Sequence, residues 1–400
     1  MARRWVIAGG GTGGHVTPAL ALGEAIRARG DEVLFVGSAR GLESRLVPEA
    51  GFTLEVLPSE QVMGRSLLGR VRGALSILRS VGTALRLLRR FEADAVISVG
   101  GYAAMPVALA TRLVRMPLFL VEPNAIPGRV NRLCAHFAKT VFSGFEATRS
   151  QLPARAESVC LGVPLRRALV RTFADRSEKK PPGLPLKVFV FGGSQGAHQL
   201  NENVPEALAR LRPKSVEVFH QTGEADRAAV EARYAELGVP AEVVAFERDM
   251  PRRYAWADVA ICRAGALTVS ELALAGLPAL LVPYPFAADD HQAANARALE
   301  EVGAAKRLDA RPLDVNALAQ AVAELVTTPG RLILMHEAAA RLARPHAAAE
   351  IVEVCAARLE GRPPRAIADA TRPPSSHDAG AEEIEPPLPM TREVSPWHAS

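Results

Sequence analysis

Much that would point directly to a function is scarce in this chain. Four cysteines in 400 residues (Cys134, Cys160, Cys262 and Cys355) stand far apart, with no CxxC pair and no cluster of Cys and His. That argues against a structural zinc, and isolated thiols suit a reducing, cytosolic setting. Aromatics make up only 5% of the chain. That is too few for the stacking platforms that hold single-stranded nucleic acid, so no nucleic-acid partner is expected. No apolar run reaches the length of a membrane span, and the apolar stretch after Arg4 gives way to glycines within a few residues. Neither a spanning helix nor a signal peptide is expected. A GxxxxGK loop is missing, which excludes a P-loop. Lysine is scarce too: six of the 48 basic residues are Lys and the rest Arg, against 43 acids and a net charge of +5. Codon bias toward Arg and an anionic partner both produce that balance, so only the distribution of charge can separate them.

What is present is the balance of a soluble globular protein, 48% hydrophobic and 23% charged, at a length suited to two domains. Trp5–Ala8 reads as a short buried strand entering Gly9-Gly10-Gly11-Thr12-Gly13-Gly14-His15, followed by a helical pattern that stops at Gly30. Further strands are expected at 32–36, 95–99, 118–121 and 140–142. The pattern then restarts. Lys187–Phe191 leads into Gly192-Gly193-Ser194-Gln195-Gly196-Ala197 and a helix, with strands expected at 216–220, 242–245, 258–261 and 279–282. Helices are expected at 267–275 and 288–302. Strands alternating with helices imply βαβ units. The fold class is therefore α/β, with two Rossmann-like parallel-sheet units, 1–165 and 166–360, facing a cleft. The last helix is placed to pack back on the N-terminal unit. Residues 361–400, rich in Pro, Ala, Ser, Asp and Glu, read as a disordered tail.

Gly9, Gly11 and Gly14 satisfy GxGxxG, but the second strand ends at Val36-Gly37-Ser38 without the ribose-binding acid of a nicotinamide site. A dehydrogenase is thereby disfavoured. What such a turn offers is N–H groups at a helix N-terminus, which attract anions or hydroxyl-bearing ligands. Two such turns in equivalent places face one cleft. The densest polar region is 262–295: Ser270 and Glu271 lie early in one helix, and Gln292 and Asn295 share a face of the next. Carboxylate, amide and backbone donors at strand ends suit a polyhydroxylated ligand.

The run GGGTGGHVTPALALGEAIRARG at the start, with SVGGYAAMP (98–106), VEPNAIPGRVNRL (121–133), GGSQGAHQLN (192–201) and CRAGALTVSELALAGLPALLVPYPFAADDHQAANA (262–296), resembles the MurG family of bacterial N-acetylglucosaminyltransferases over residues 1 to about 358. The resemblance implies a GT-B fold and a donor, UDP-GlcNAc. It implies a lipid I acceptor, undecaprenyl-pyrophosphoryl-MurNAc-pentapeptide, and a β-1,4 linkage formed with inversion to give lipid II. It implies no metal and no obligatory cofactor, and Asp289-Asp290 are not read as ligands. By motif position, Thr12, Gly13, Gly14, Asn124, Arg166, Ser194 and Gln292 match donor-binding positions. Ala266, Leu267, Thr268, Val269, Ser270 and Glu271 match the stretch holding uracil, ribose and phosphate, with Glu271 on the ribose hydroxyls. Asn295 matches a GlcNAc-hydroxyl contact. The segments 121–124 and 162–166 depart from the family's usual wording, and Glu247 stands where an apolar residue often packs near uracil.

Inverting transfer needs a base for the acceptor hydroxyl, and an imidazole is the side chain best poised near pH 7. His15 is the candidate and Glu122 the rival; a histidine that merely caps its turn would read the same way. The departing diphosphate needs N–H groups and a cation, for which Ser194 and Arg166 are candidates. Seven arginines between Arg65 and Arg90 interleave with leucines and valines at helical spacing, and no acid interrupts them. A lipid-linked acceptor favours reading this stretch as a dock for anionic phospholipid on the cytoplasmic face of the inner membrane, held peripherally. A surface helix packed on its domain has the same pattern. Other cell-wall enzymes are further candidate partners. A UDP-GlcNAc 2-epimerase is the competing enzyme, and a non-catalytic nucleotide-sugar-binding module the competing class.

Overall fold

The computed structural model describes residues 2–57, 67–174, 183–193, 196–309 and 311–362, with side chains from Leu78 onward in the helix that begins at Leu67. Its first sheet contains β1 (Arg4–Gly9), β2 (Glu32–Gly37), β3 (Thr53–Val56), β4 (Ala95–Gly100), β5 (Leu118–Glu122), β6 (Thr140–Ser143) and β7 (Ser158–Cys160), in the order β3-β2-β1-β4-β5-β6-β7. The second contains β8 (Leu186–Phe191), β9 (Val216–Gln221), β10 (Ala241–Val244), β11 (Val259–Cys262), β12 (Ala279–Leu281) and β13 (Ala305–Arg307), in the order β10-β9-β8-β11-β12-β13. All strand pairs are parallel. Central strands such as β4 and β11 are buried from end to end, as a sheet with helices on both faces requires.

The order reverses between β1 and β4 in one sheet and between β8 and β11 in the other. A crevice opens at the carboxyl ends of the strands at each reversal, and both glycine-rich turns leave from these points. Three strands were not expected from sequence: β3, β7 and β13. Each lies at a sheet edge, and β7 and β13 are only three residues long. The helix expected from Ala288 begins instead at His291 and runs to Glu301. Asp289 and Asp290 precede it with φ of 52° and 56°, so the chain passes through a left-handed kink that a continuous helix forbids.

The last helix, Ala347–Leu359, lies on the Gly13–Ala28 helix of the first sheet. Its Ile351, Val352 and Val354 are fully buried in the same cluster as Trp5, Leu20 and Leu22. Each such side chain contributes roughly 1.5–3 kcal/mol when removed from water. Arg29–Glu353 and Arg3–Glu360 pairs flank that contact.

The basic stretch forms a helix, Leu67–Arg90. In its described half, Val81, Ala84, Leu87 and Leu88 are buried in the domain core, whereas Arg79, Arg86, Arg89 and Arg90 face water and Leu78 is 66% exposed. Part of the expected apolar stripe is therefore used in packing. Arg65 and the side chains of Arg70 and Arg72 lie outside the described residues, as does the tail beyond Arg362. Among the described residues no helix is long and apolar enough to cross a membrane.

Candidate active site

At the end of β1 the chain turns through Gly9–Thr12 into the Gly13–Ala28 helix. Thr12 stands at the N-cap in extended conformation, its carbonyl accepting the N–H groups of His15 and Val16 at 3.1 Å each. Gly13 and Gly14 form the first helical turn, where N–H groups have no intrahelical partner and the positive end of the helix dipole lies. His15 is half-buried, with Nδ1 3.1 Å from Thr12 Oγ1. Burial lowers its pKa below the ordinary 6.5; the charge of Glu43 opposes that shift and His291, from the other unit, adds to it. The imidazole is thus neutral at pH 7 and able to take a proton. Gly101, at the end of β4, has φ of 84°, and a Cβ there would lie 2.6 Å from the Gly10 carbonyl, so only glycine lets the two turns meet.

The second glycine turn leaves β8 for the His198–Ala209 helix. Gly196 has φ of 75° and abuts Thr222, whose carbonyl would sit 1.7 Å from any Cβ. Gln221 Nε2 donates to the Gly193 carbonyl at 2.9 Å, and Asn201 Nδ2 to that of Thr222 at 2.9 Å. Ser194 lies outside the described residues. Beside this turn opens a cavity of about 1030 Å³, lined by Gly192, Gly196, His198, Arg263, Phe286 and Gln292 among others. Arg263 is 8% exposed, and Nη1 donates to Gln199 Oε1 and to the carbonyls of Val282 and Pro283, all neutral acceptors. A cation with neutral partners at a cavity wall favours an anionic ligand. Gln292 Oε1 accepts the Tyr284 N–H at 2.9 Å.

The Ala266–Ala275 helix follows β11. Ala266 and Val269 are buried, and Leu267, Thr268 and Ser270 are half-buried. Val269 and Ser270 line a second cavity of about 360 Å³, together with Phe145, Val163, Arg297 and Arg344. Glu271 accepts the Tyr254 hydroxyl at 2.7 Å, and burial raises its pKa to about 7. Glu247, standing where an apolar residue was expected to pack near uracil, forms a 2.7 Å pair with Arg253. Of the residues expected to hold the donor, Gln292 thus lines the larger cavity, and Val269 and Ser270 the smaller.

Glu122 ends β5 with its carboxylate buried. It accepts the N–H groups of Asn124 (3.0 Å) and Gly128 (2.9 Å) and the amide of Asn131 (2.9 Å). Burial raises its pKa while these donors pull it down. So engaged, it shapes the 123–128 loop. That loop reaches the other unit: Asn295 Oδ1 accepts the Ala125 N–H at 2.8 Å, and its Nδ2 donates to Asn124 Oδ1 at 3.1 Å and to the Ala264 carbonyl at 3.2 Å. Arg166 pairs with Glu24 of the first helix at 2.6 Å. Asn295 and Arg166 thus both bind across the units. Glu43, which no motif reading singled out, is 1% exposed beneath the first glycine turn.

Residues 5–143 match the glycosyltransferase family 28 N-terminal domain and residues 187–351 its C-terminal domain. The chain is a member of glycosyltransferase family 28, with two Rossmann-like units of the GT-B type. It is 44% identical over 355 residues to the UDP-N-acetylglucosamine–N-acetylmuramyl-(pentapeptide) pyrophosphoryl-undecaprenol N-acetylglucosamine transferase of Methylococcus capsulatus, covering 89% of this chain and 98% of that one. Its identity to the transferase of the same name from Geobacter sulfurreducens is 40% over 352 residues, 87% of this chain and 96% of the other. The crystal structure of Acinetobacter baumannii MurG superposes with a TM-score of 0.73 at 33% identity, covering 88% of this chain and 98% of that one. Within family 28, the chain belongs to the MurG family. A putative UDP-N-acetylglucosamine 2-epimerase from Listeria monocytogenes, at 15% identity and a TM-score of 0.65, shares the fold alone.

Proposed function

We propose that the protein transfers GlcNAc from UDP-GlcNAc to the C4 hydroxyl of MurNAc in undecaprenyl-pyrophosphoryl-MurNAc-pentapeptide, converting lipid I to lipid II in peptidoglycan synthesis. The observation that carries this reading is the likeness to transferases of that name, which runs through both units and so includes both glycine turns of the cleft. The same architecture in a 2-epimerase has no such identity behind it.

His15 is the base in this reading. The acceptor O4 attacks C1 of the sugar, its proton passes to the neutral imidazole, and the bond from C1 to the diphosphate oxygen breaks with its electron pair leaving on UDP. Attack opposite the leaving group inverts C1 to the β-linkage. The negative charge gained by the diphosphate falls to the second glycine turn with Ser194, to its helix N-terminus and to Arg263, with Arg166 joining if it exchanges Glu24 for phosphate. Thr12, Gly13 and Gly14 serve the donor from the opposite wall. Ala266 to Glu271 serve the nucleoside, Glu271 on the ribose hydroxyls; Gln292, Asn124 and Asn295 serve GlcNAc. A sugar hydroxyl reaches Asn295 only if the 123–128 loop gives up its two bonds to that amide.

The enzyme works on a lipid-linked acceptor, and the exposed arginines of the Leu67–Arg90 helix support peripheral docking on anionic lipid at the cytoplasmic face of the inner membrane. Other cell-wall enzymes are candidate neighbours there. The test is acceptor-dependent UDP release: UDP should appear from UDP-GlcNAc only when a lipid I analogue is present. Equal release without acceptor would return the reading to an epimerase or hydrolase.

A further inference from the structure

The Gly13–Ala28 helix that carries His15 starts from a turn resting on a buried carboxylate. Glu43 opens the helix Glu43–Glu49 and is 1% exposed. Its Oε2 accepts the Gly11 N–H at 2.7 Å, and its Oε1 accepts the Ser38 N–H at 2.8 Å and the Ser38 hydroxyl at 2.7 Å. Three glycines make room for it. A Cβ on Gly10, Gly37 or Gly41 would come within 2.5 Å of its side-chain atoms. The three donors hold it ionised, and they lower its pKa even though burial alone would raise it. A buried charge is expensive to keep, and this one pairs with no cation among the described residues. The titratable groups acting on His15 are this carboxylate, at the start of the helix after β2, and His291 across the cleft.

We propose that Glu43 is the positioning residue for His15: it fixes the glycine turn from below and supplies the negative charge that stabilises the imidazolium formed when His15 takes the acceptor proton. The two do not touch. Glu43 bonds the turn at Gly11, while His15 bonds Thr12, so the coupling runs through the turn and through the field. The arrangement parallels the carboxylate that steadies the histidine of a hydrolase triad, with a backbone turn interposed.

The proposal rests on His15 as the base, and the experiment separates the two. The pH profile of kcat is measured with UDP-GlcNAc and a lipid I analogue for the full-length parent, His15→Ala, Glu43→Gln and Ser38→Ala. Loss of the negative charge makes the imidazolium harder to form, so in Glu43→Gln the acid limb should move to lower pH, by roughly half a unit. Turnover on the plateau should fall about 10- to 100-fold through the weaker base and the loosened turn, with donor KM changed less than about threefold. Ser38→Ala keeps the charge and should leave the limb in place. An unmoved acid limb in folded Glu43→Gln, whatever its turnover, would overturn the proposal and leave Glu43 a purely structural support. Should Glu43→Gln fail to fold, Glu43→Asp draws the charge back by one methylene. Its limb must then move the same way by a smaller amount, and an unmoved limb overturns the proposal equally. Near-normal turnover in His15→Ala would instead remove the base reading itself.

Discussion

Asn295 and Asn124 join their side-chain amides across the cleft at 3.1 Å, and Asn295 has no exposed surface at all. One amide thus bonds the loop after β5 to the helix after β12, with Ala125 and Ala264 as its other partners. Removing it leaves buried polar groups unpaired, at a cost of roughly 1–3 kcal/mol. Asn295→Ala should lower Tm in the ligand-free protein and raise donor KM, because the sugar loses the same amide. A variant that keeps parental Tm would mean that water replaces the contact without loss.

His15→Ala should reduce kcat by about two to four orders of magnitude while donor affinity changes little. The turn is built by glycines, so the fold should survive, which circular dichroism checks. In the parent, burial holds the His15 pKa below 6.5. The base is lost only when protonated, so kcat should persist to lower pH than a free imidazole would allow. An acid limb at or above 6.5 would place another group in the role.

Glu271 makes a separate pH prediction. Its pKa of about 7 in the folded protein lies above its unfolded value of 4.5. The folded state therefore holds the proton more tightly, and stability from this group, complete below about 4.5, is lost as pH rises through about 7. Ribose hydroxyls need the ionised carboxylate as acceptor, so donor KM should fall across the same rise. Glu271→Gln should flatten both the Tm decline and the KM change; a KM that keeps its pH dependence in this variant would take Glu271 away from the ribose.

Changing Arg72, Arg79 and Arg86 to Gln should release the protein from vesicles containing anionic lipid. Each arginine near such a surface contributes on the order of 1 kcal/mol, less as salt screens it. Turnover of a short-chain soluble acceptor should hardly change. Val81, Leu87 and Leu88 pack inward, so residual attachment should be slight unless the earlier part of the helix supplies it. Equal sedimentation of parent and variant would reduce the basic face to a solvated surface.

The central strands could be read from sequence because a doubly covered sheet demands near-continuous apolar runs; Val-Phe-Val-Phe of β8 is such a run, and Val-Ile-Ser-Val of β4 breaks it only at Ser98. Three of the four edges, β3, β7 and β13, could not, although β10 could: β13 reads Ala-Lys-Arg and β3 is half-exposed, so neither carries that signature. His15 stood out beside its glycines. Glu43 did not, because Gly-Leu-Glu-Ser-Arg looks like the exposed start of a surface helix; only Gly37 and Gly41 on either side hinted that something bulky needed their space. The bonds from Asn295 to Asn124 and from Arg166 to Glu24 span 171 and 142 residues. Local pattern carries no trace of contacts made by docking two units, and for that reason both residues read as free to meet a ligand.

The most direct test of the central claim follows the sugar itself. UDP-GlcNAc labelled in the sugar is incubated with the full-length protein and a lipid I analogue, and label in the lipid fraction is compared with UDP released. The account predicts one labelled GlcNAc per UDP, β-linked to C4 of MurNAc by NMR of the isolated product, with transfer in His15→Ala slowed by about two to four orders of magnitude. UDP released without labelled lipid, or an α-linked product, would contradict it.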